Sequence, residues 1–191
     1  KTPNNTVLVT IMLANNESGA IMPIPEIARE CRKRNVLMHT DAAQAVGKLD
    51  LTLYNQVDLM TIVGHKMGAP KGVACLYVRP GCLSEQGRKL ETQNGISLLG
   101  GGQEFGRRAG TENVPYIAGL GTAAEIVEKE WTSNYEHMRS LRSRMIDNLK
   151  DGLGAEQIRV NGPALPEYGL CNTLSVGIRD VHSGQLLQAL A

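Results

Sequence analysis

The sequence lacks most of the features that place a chain in a specialised class. Its four cysteines, Cys31, Cys75, Cys82 and Cys171, are scattered, with no CxxC spacing and no grouping with the four histidines. That argues against a disulfide framework and against a zinc site, and it favours a reducing compartment. Charge of one sign is also lacking: 20 Lys and Arg against 19 Asp and Glu leave a formal +1. No electrostatic footprint points to nucleic acid or an anionic membrane surface as a partner. Apolar runs are short. The run at 7–13 falls far below the roughly 18 residues that span a bilayer, so no membrane span and a cytoplasmic location are expected. There is no internal repeat, no low-complexity tract and no charged or hydrophobic leader. The chain begins at Lys1 without an initiator Met and ends inside the helix-like stretch 183–190. Both ends read as cut, which leaves an organellar address open.

What is present is a globular composition. With 191 residues, 42% of them hydrophobic, and 21 glycines, the chain can bury one sizeable core, or one domain and part of a second. Residues 7–13 form a continuous apolar run followed by the polar turn Ala14 to Gly19, the pattern of a buried strand with a loop at its carboxyl end. Pro25 then opens a helix, with Glu26 near its positive end and Arg32, Lys33 and Arg34 near its negative end. Strands are predicted at 36–40, 58–63 and 73–78, and a short helix from Asp41 to Val46. Strands alternating with helical segments predict a three-layer α/β/α fold with a mostly parallel sheet. Residues 82–97 read as a loop or lid. A helix is predicted over 118–130 and a second one after it, entered by the capping box Ser133-Asn134-Tyr135-Glu136. Strands at 157–161 and 172–178 start a smaller α+β unit. The expected division is 1–130 for the large domain and 131–191 for the interdomain helix and the start of the small one.

Ligands of such sheets bind at the carboxyl ends of the strands, and three polar clusters fall there: Asn15-Asn16-Glu17, His39 to Gln44, and Gly64-His65-Lys66. A carboxylate after one strand and a lysine after its neighbour meet the needs of pyridoxal phosphate. The lysine forms the imine, and the acid keeps the pyridine nitrogen protonated. Lys66 and Asp41 would take those parts. Gln44, three residues beyond Asp41 on the same helical face, and Asn16 are candidates to bond the ring's phenolate oxygen. His65 is a candidate phosphate contact, as is Thr111 through its hydroxyl and backbone N–H. Each residue also has a plainer reading: Asp41 as a helix N-cap, Asn15-Asn16 as a turn, Gly100-Gly101-Gly102 as a bend, His39 as a structural histidine. Their joint order and spacing favour the site.

The segments Leu13 to Gly19, His39 to Lys48, Val63 to Lys66, Gly100 to Glu104 and Arg108 to Asn113 resemble the cysteine desulfurases and selenocysteine lyases of the class V aminotransferase group, in the same order and over almost the whole chain. The resemblance implies the large domain of a fold-type I pyridoxal-phosphate enzyme, usually a homodimer. Such an enzyme removes sulfur or selenium from L-cysteine or L-selenocysteine and leaves alanine, passing the element to an acceptor protein in some cases. It implies Lys66 as Schiff-base lysine and general acid/base, Asp41 at the pyridine nitrogen, and Asn16 and Gln44 near the phenolate. It also implies His65 by the phosphate, Thr111 reaching the phosphate of the other subunit, and Arg108 beside the substrate pocket.

Two departures bear on the reading. Val63 stands where desulfurases often carry a phosphate-binding serine, as it does in many selenocysteine lyases, and Met67 to Gly72 replaces the usual aromatic-Gly-Pro turn. The family's ring-stacking residue, its carboxylate-binding arginine and its sulfur-accepting cysteine fall beyond these 191 residues, so the isolated chain is expected to be inactive. The main expectation is a selenocysteine lyase-like enzyme. The alternatives are a cysteine desulfurase serving iron–sulfur cluster or thiolation pathways, and a non-catalytic paralogue that keeps only the fold.

Overall fold

The computed structural model describes residues 5–82, 100–163 and 166–191; beyond Cys82 the expected loop or lid lies outside them. Strands β1 (Leu8–Met12), β2 (Leu37–Asp41) and β3 (Leu59–Val63) run parallel and adjacent, and β4 (Ala74–Val78) completes the sheet antiparallel to β3. Helix α1 (Ile24–Lys33) carries the chain back between β1 and β2. Its start and end follow the sequence reading, with Pro25 in the first turn, Glu26 beside it and Arg32 and Lys33 in the last turn. Between β3 and β4 there is only a short 3-10 turn, Gly64–Lys66, and a loop. No crossover fits in that length, so β4 must run back.

Side chains alternate across the sheet. On one face Met38, Thr40 and Met60 are buried, and Ile24, Ala28 and Cys31 of α1 join Leu13, Met38, Val57 and Met60 in a single core. On that same face Ile62 and Cys75, together with Ile117, Leu120, Ala124 and Val127, line an apolar cavity of about 480 Å³. The other face is open, with Leu8, Met12 and Leu76 exposed by 43%, 43% and 56%. Of three expected layers, the described residues therefore build two. The run at 7–13, expected to be a strand buried on both faces, is an edge strand with one open face.

Two local expectations are corrected. The short helix expected over Asp41–Val46 is a pair of overlapping turns, closed by Val46 N–H to the Ala42 carbonyl at 3.1 Å and Leu49 N–H to the Ala45 carbonyl at 3.0 Å. Gly47, at φ +71°, stops the helical path after one turn. The two helices expected on either side of Ser133 are one helix. After the short α2 (Gln103–Gly106), α3 runs unbroken over Val114–Leu153, 40 residues. Ser133 caps nothing: its hydroxyl donates back to the Glu130 carbonyl at 2.9 Å. The true cap is Asn113, whose Oδ1 accepts from Tyr116 N–H at 3.3 Å. The edge-to-face pair Trp131–Tyr135, at i and i+4, supports the helix where a break was expected.

Beyond α3, β5 (Ile158–Asn161) and β6 (Ser175–Ile178) pair antiparallel as a small second sheet, and α4 (Ser183–Leu190) follows. The loop after β1 is tied to this part of the chain: Ile21 N–H donates to the Tyr168 carbonyl and Leu170 N–H to the Gly19 carbonyl, both at 2.8 Å.

Candidate active site

The carboxyl ends of the three parallel strands carry five of the seven positions that the sequence reading put at the site: Asn16 after β1, Asp41 and Gln44 at the end of β2 and in the turn after it, and His65 and Lys66 after β3. Asp41 is the last residue of β2 and is exposed. Its Oδ1 accepts from Ala43 N–H at 2.8 Å. That bond is the turn-capping role of the plainer reading, and it orients the carboxylate while leaving the second oxygen for another partner. Asp41 lies in register with Thr61 of β3, so the two backbones are about 4.8 Å apart there. Five residues beyond Thr61 comes Lys66, exposed at the end of the 3-10 turn, with His65 exposed beside it.

That turn is fixed from below. Gly64 N–H donates to the Val73 carbonyl at 3.0 Å, and the Gly64 carbonyl accepts from Met67 and Ala69 N–H at 2.9 and 3.1 Å. A Cβ on Gly64 would lie 2.9 Å from the Val73 carbonyl oxygen and 3.0 Å from the Ala69 Cβ. Only glycine allows this close approach, which launches His65 and Lys66 from the strand end.

Gln44 sits half-buried in the turn after Asp41. Lys48, a residue the sequence reading passed over as part of a motif, holds that turn: its ammonium is buried and donates to the Gln44 carbonyl at 3.0 Å. Burial pushes the Lys48 pKa below its ordinary value; Cys171 opposes this, and the nearby Lys66 charge adds a smaller push in the same direction as burial. In the β1 loop, Asn15 is the turn residue. Its Oδ1 accepts from Glu17 N–H, Ser18 N–H and the Ser18 hydroxyl at 3.0, 2.8 and 3.1 Å. Asn16 beside it is exposed.

Thr111 and Arg108 are not brought to this edge by any contact in the described residues. Thr111 is exposed, between Gly110 at φ +97° and the start of α3. Arg108 is half-buried in the preceding loop, where its N–H donates to the Gln103 carbonyl at 3.4 Å. Of the thiols, Cys31, Cys82 and Cys171 are buried and Cys75 is exposed on β4. Desolvation pushes the pKa of all four up, which makes them poor nucleophiles at neutral pH. No group of His, Cys, Asp and Glu able to hold a metal occurs among the described residues, and no helix among them is long and apolar enough to cross a membrane.

An amine, a carboxylate and amide side chains thus come from adjacent strand ends. This donor set fits an aldehyde cofactor with a basic ring nitrogen and a phenolate. The comparisons with known proteins point to the same chemistry. Over 189 residues the chain is 42% identical to a cysteine desulfurase of Trichormus azollae, covering 97% of this chain and 43% of that protein. Over 188 residues it is 39% identical to the cysteine desulfurase IscS of Escherichia coli, covering 98% and 43%. It superposes on the crystal structure of DndA from Streptomyces lividans with a TM-score of 0.82 at 36% identity, covering 100% of this chain and 51% of that one. The chain spans less than half the length of the curated relatives it matches. The family model for class-V aminotransferases matches residues 2–191, and with that match, on a mostly parallel sheet whose strand ends carry Asp41 and Lys66, the chain belongs to the class-V aminotransferase family.

Proposed function

We propose that the full-length protein is a pyridoxal-phosphate-dependent lyase that removes sulfur or selenium from L-cysteine or L-selenocysteine and leaves L-alanine. The observation that supports this reading is the placement of Asp41, Gln44 and Lys66 at and just beyond the carboxyl ends of the neighbouring parallel strands β2 and β3. When bound, the cofactor supplies an electron sink for the substrate's α-carbon. In this reading Lys66 holds the cofactor and moves the proton at that carbon. Asp41 keeps the ring nitrogen protonated with the oxygen that Ala43 leaves available. Gln44 and Asn16 bond the phenolate side, His65 meets the phosphate, and Thr111 reaches the phosphate bound by a second subunit of a homodimer. Arg108 borders the substrate. Residues 1–130 are then the cofactor-binding domain and 131–191 the connection to a smaller one, in a cytoplasmic enzyme that passes its sulfur or selenium to an acceptor.

The names of the relatives favour cysteine as substrate. Val63, in place of a hydroxyl two residues before His65, favours selenocysteine as the second reading. The test uses the full-length protein. Added pyridoxal phosphate should give a near-visible absorbance that Lys66→Ala abolishes, with alanine released from one of the two amino acids. Comparing sulfide with selenide release then decides between the substrates. A full-length protein that takes up no pyridoxal phosphate at Lys66 would be the non-catalytic paralogue instead.

A further inference from the structure

We infer that His39 is a positioning residue for Asp41: a neutral imidazole held between Thr10 and Thr61 that forms the floor under the carboxylate. The inference rests on the pyridoxal-phosphate reading above. Thr10 Oγ1 and His39 Nδ1 are 2.6 Å apart, and His39 Nε2 and Thr61 Oγ1 are 2.9 Å apart. These bonds run side chain to side chain across β1, β2 and β3, one pleat short of the strand ends. His39 and Asp41 are two residues apart in β2 and so share a face. Thr61 is the register partner of Asp41, not of His39. The His39–Thr61 bond is therefore diagonal, and it ends beside the carboxylate.

The chemistry of the row is what suits it to this task. A hydroxyl donates or accepts as required, so two threonines satisfy either neutral tautomer of the ring and supply no counter-charge. The other side chains on this face of the sheet are Leu8 and Met12 from β1, Leu37 from β2, Leu59 and Val63 from β3, and Ala74, Leu76 and Val78 from β4. Asp41 is the one charged group among them. A protonated His39 would compete with the cofactor's ring nitrogen for that charge. Desolvation pushes the His39 pKa down, against a smaller upward pull from Asp41, and this favours the neutral ring over the competing cation.

The experiment uses the full-length protein with pyridoxal phosphate as probe. Variants are His39→Leu, His39→Gln, and Thr61→Val, with Lys66→Ala as reference. Thr61→Val keeps the side-chain shape and serves if His39→Leu folds poorly. His39→Leu and Thr61→Val should bind the cofactor about five- to tenfold more weakly, the worth of about one net hydrogen bond. The pH at which the bound cofactor's absorbance changes should rise by about half a unit, because a ring nitrogen that Asp41 keeps less protonated would withdraw less charge from the imine, which would then hold its proton to higher pH. His39→Gln, which can still bond Thr61, should restore most of both. If the two variants lower only the melting temperature and leave affinity and titration midpoint as in wild type, while Lys66→Ala removes the absorbance, His39 is a strand tie and the inference fails alone. If wild type shows no absorbance that depends on Lys66, the cofactor reading fails and takes the inference with it.

Discussion

Replacing Gly64 with alanine isolates the link between packing and the site in one methyl group. The added Cβ would meet the Val73 carbonyl oxygen at 2.9 Å, the Ala69 Cβ at 3.0 Å and the Val73 Cγ1 at 3.0 Å. Ordinary contact requires roughly 0.5 Å more from that oxygen. The same oxygen accepts from Gly64 N–H at 3.0 Å, so yielding stretches this bond towards the limit of useful geometry. Overpacking of this kind costs about 1–3 kcal/mol and the weakened bond about 1. Reduced backbone freedom in the unfolded chain returns about 0.5–1. A net loss of about 2 kcal/mol lowers the melting temperature by roughly 4–8 °C in a chain of this size. Because His65 and Lys66 follow directly, cofactor uptake should weaken as well. Gly121→Ala is the matched control. It lies on α3 with nothing within 4 Å of the added atom, and the same substitution there should stabilise by up to about 1 kcal/mol. Thermal unfolding followed by circular dichroism, with pyridoxal phosphate titration of each variant, reads both effects. Gly64→Ala melting with wild type and binding the cofactor equally well would refute the reasoning.

Three other outcomes follow from the same structure. Asp58 is buried and accepts from Met38 N–H at 2.8 Å and from Arg79 Nε at 3.0 Å and Nη2 at 2.5 Å; Asp58→Asn offers one acceptor oxygen for both sides and should lose about 2–3 kcal/mol in urea unfolding. Lys48 has its pKa pushed below the ordinary 10.5 by burial, so between the lowered value and about 10.4 the unfolded chain binds more protons and stability rises with pH. Lys48→Met should flatten that rise, seen as a smaller change in urea midpoint from about pH 8 to about pH 10. Asn113→Ala should cost about 1 kcal/mol as the loss of a cap, and Ser133→Ala should cost nothing, as thermal unfolding of the pair will read.

Much of this was legible from residue order alone, for physical reasons that also mark where legibility stops. Short apolar runs bounded by polar turns located all four strands of the main sheet, because β-branched and large apolar side chains have few other places to go. The positions of Asp41 and Lys66 were legible from that pattern, since Asp41 closes one strand and Lys66 ends the short turn after the next. The setting of Gln44 was not legible: a helix from Asp41 needed residues beyond Val46 to continue it, and Gly47 takes a left-handed conformation instead. Ser133 carried the pattern of a cap, yet no glycine or proline interrupts 122–151, and continuing the helix satisfies more backbone groups than restarting it. Thr10 and Thr61 gave no local signal. Their meeting with His39 depends on how three strands align, and that register is a property of the sheet.

The open face of the sheet bears on how strongly the proposed site residues can act. Asp41, His65 and Lys66 are exposed, and an ion pair at 4 Å is worth about 1 kcal/mol in water but about 4 where the effective dielectric constant falls to 20. The grip of Asp41 on a cationic ring nitrogen therefore depends on what lies over this face as much as on the carboxylate itself. The same holds for the Lys66 amine, whose reactivity depends on the surroundings that cover it. The strand ends and the row beneath them set position. Polypeptide closing over that face would set strength, and relatives more than twice the length of this chain have the residues to provide it. In the proposed reading, the strength of these charges on a bound cofactor is thus set by how far water is kept from the open face, because solvent screens exposed groups.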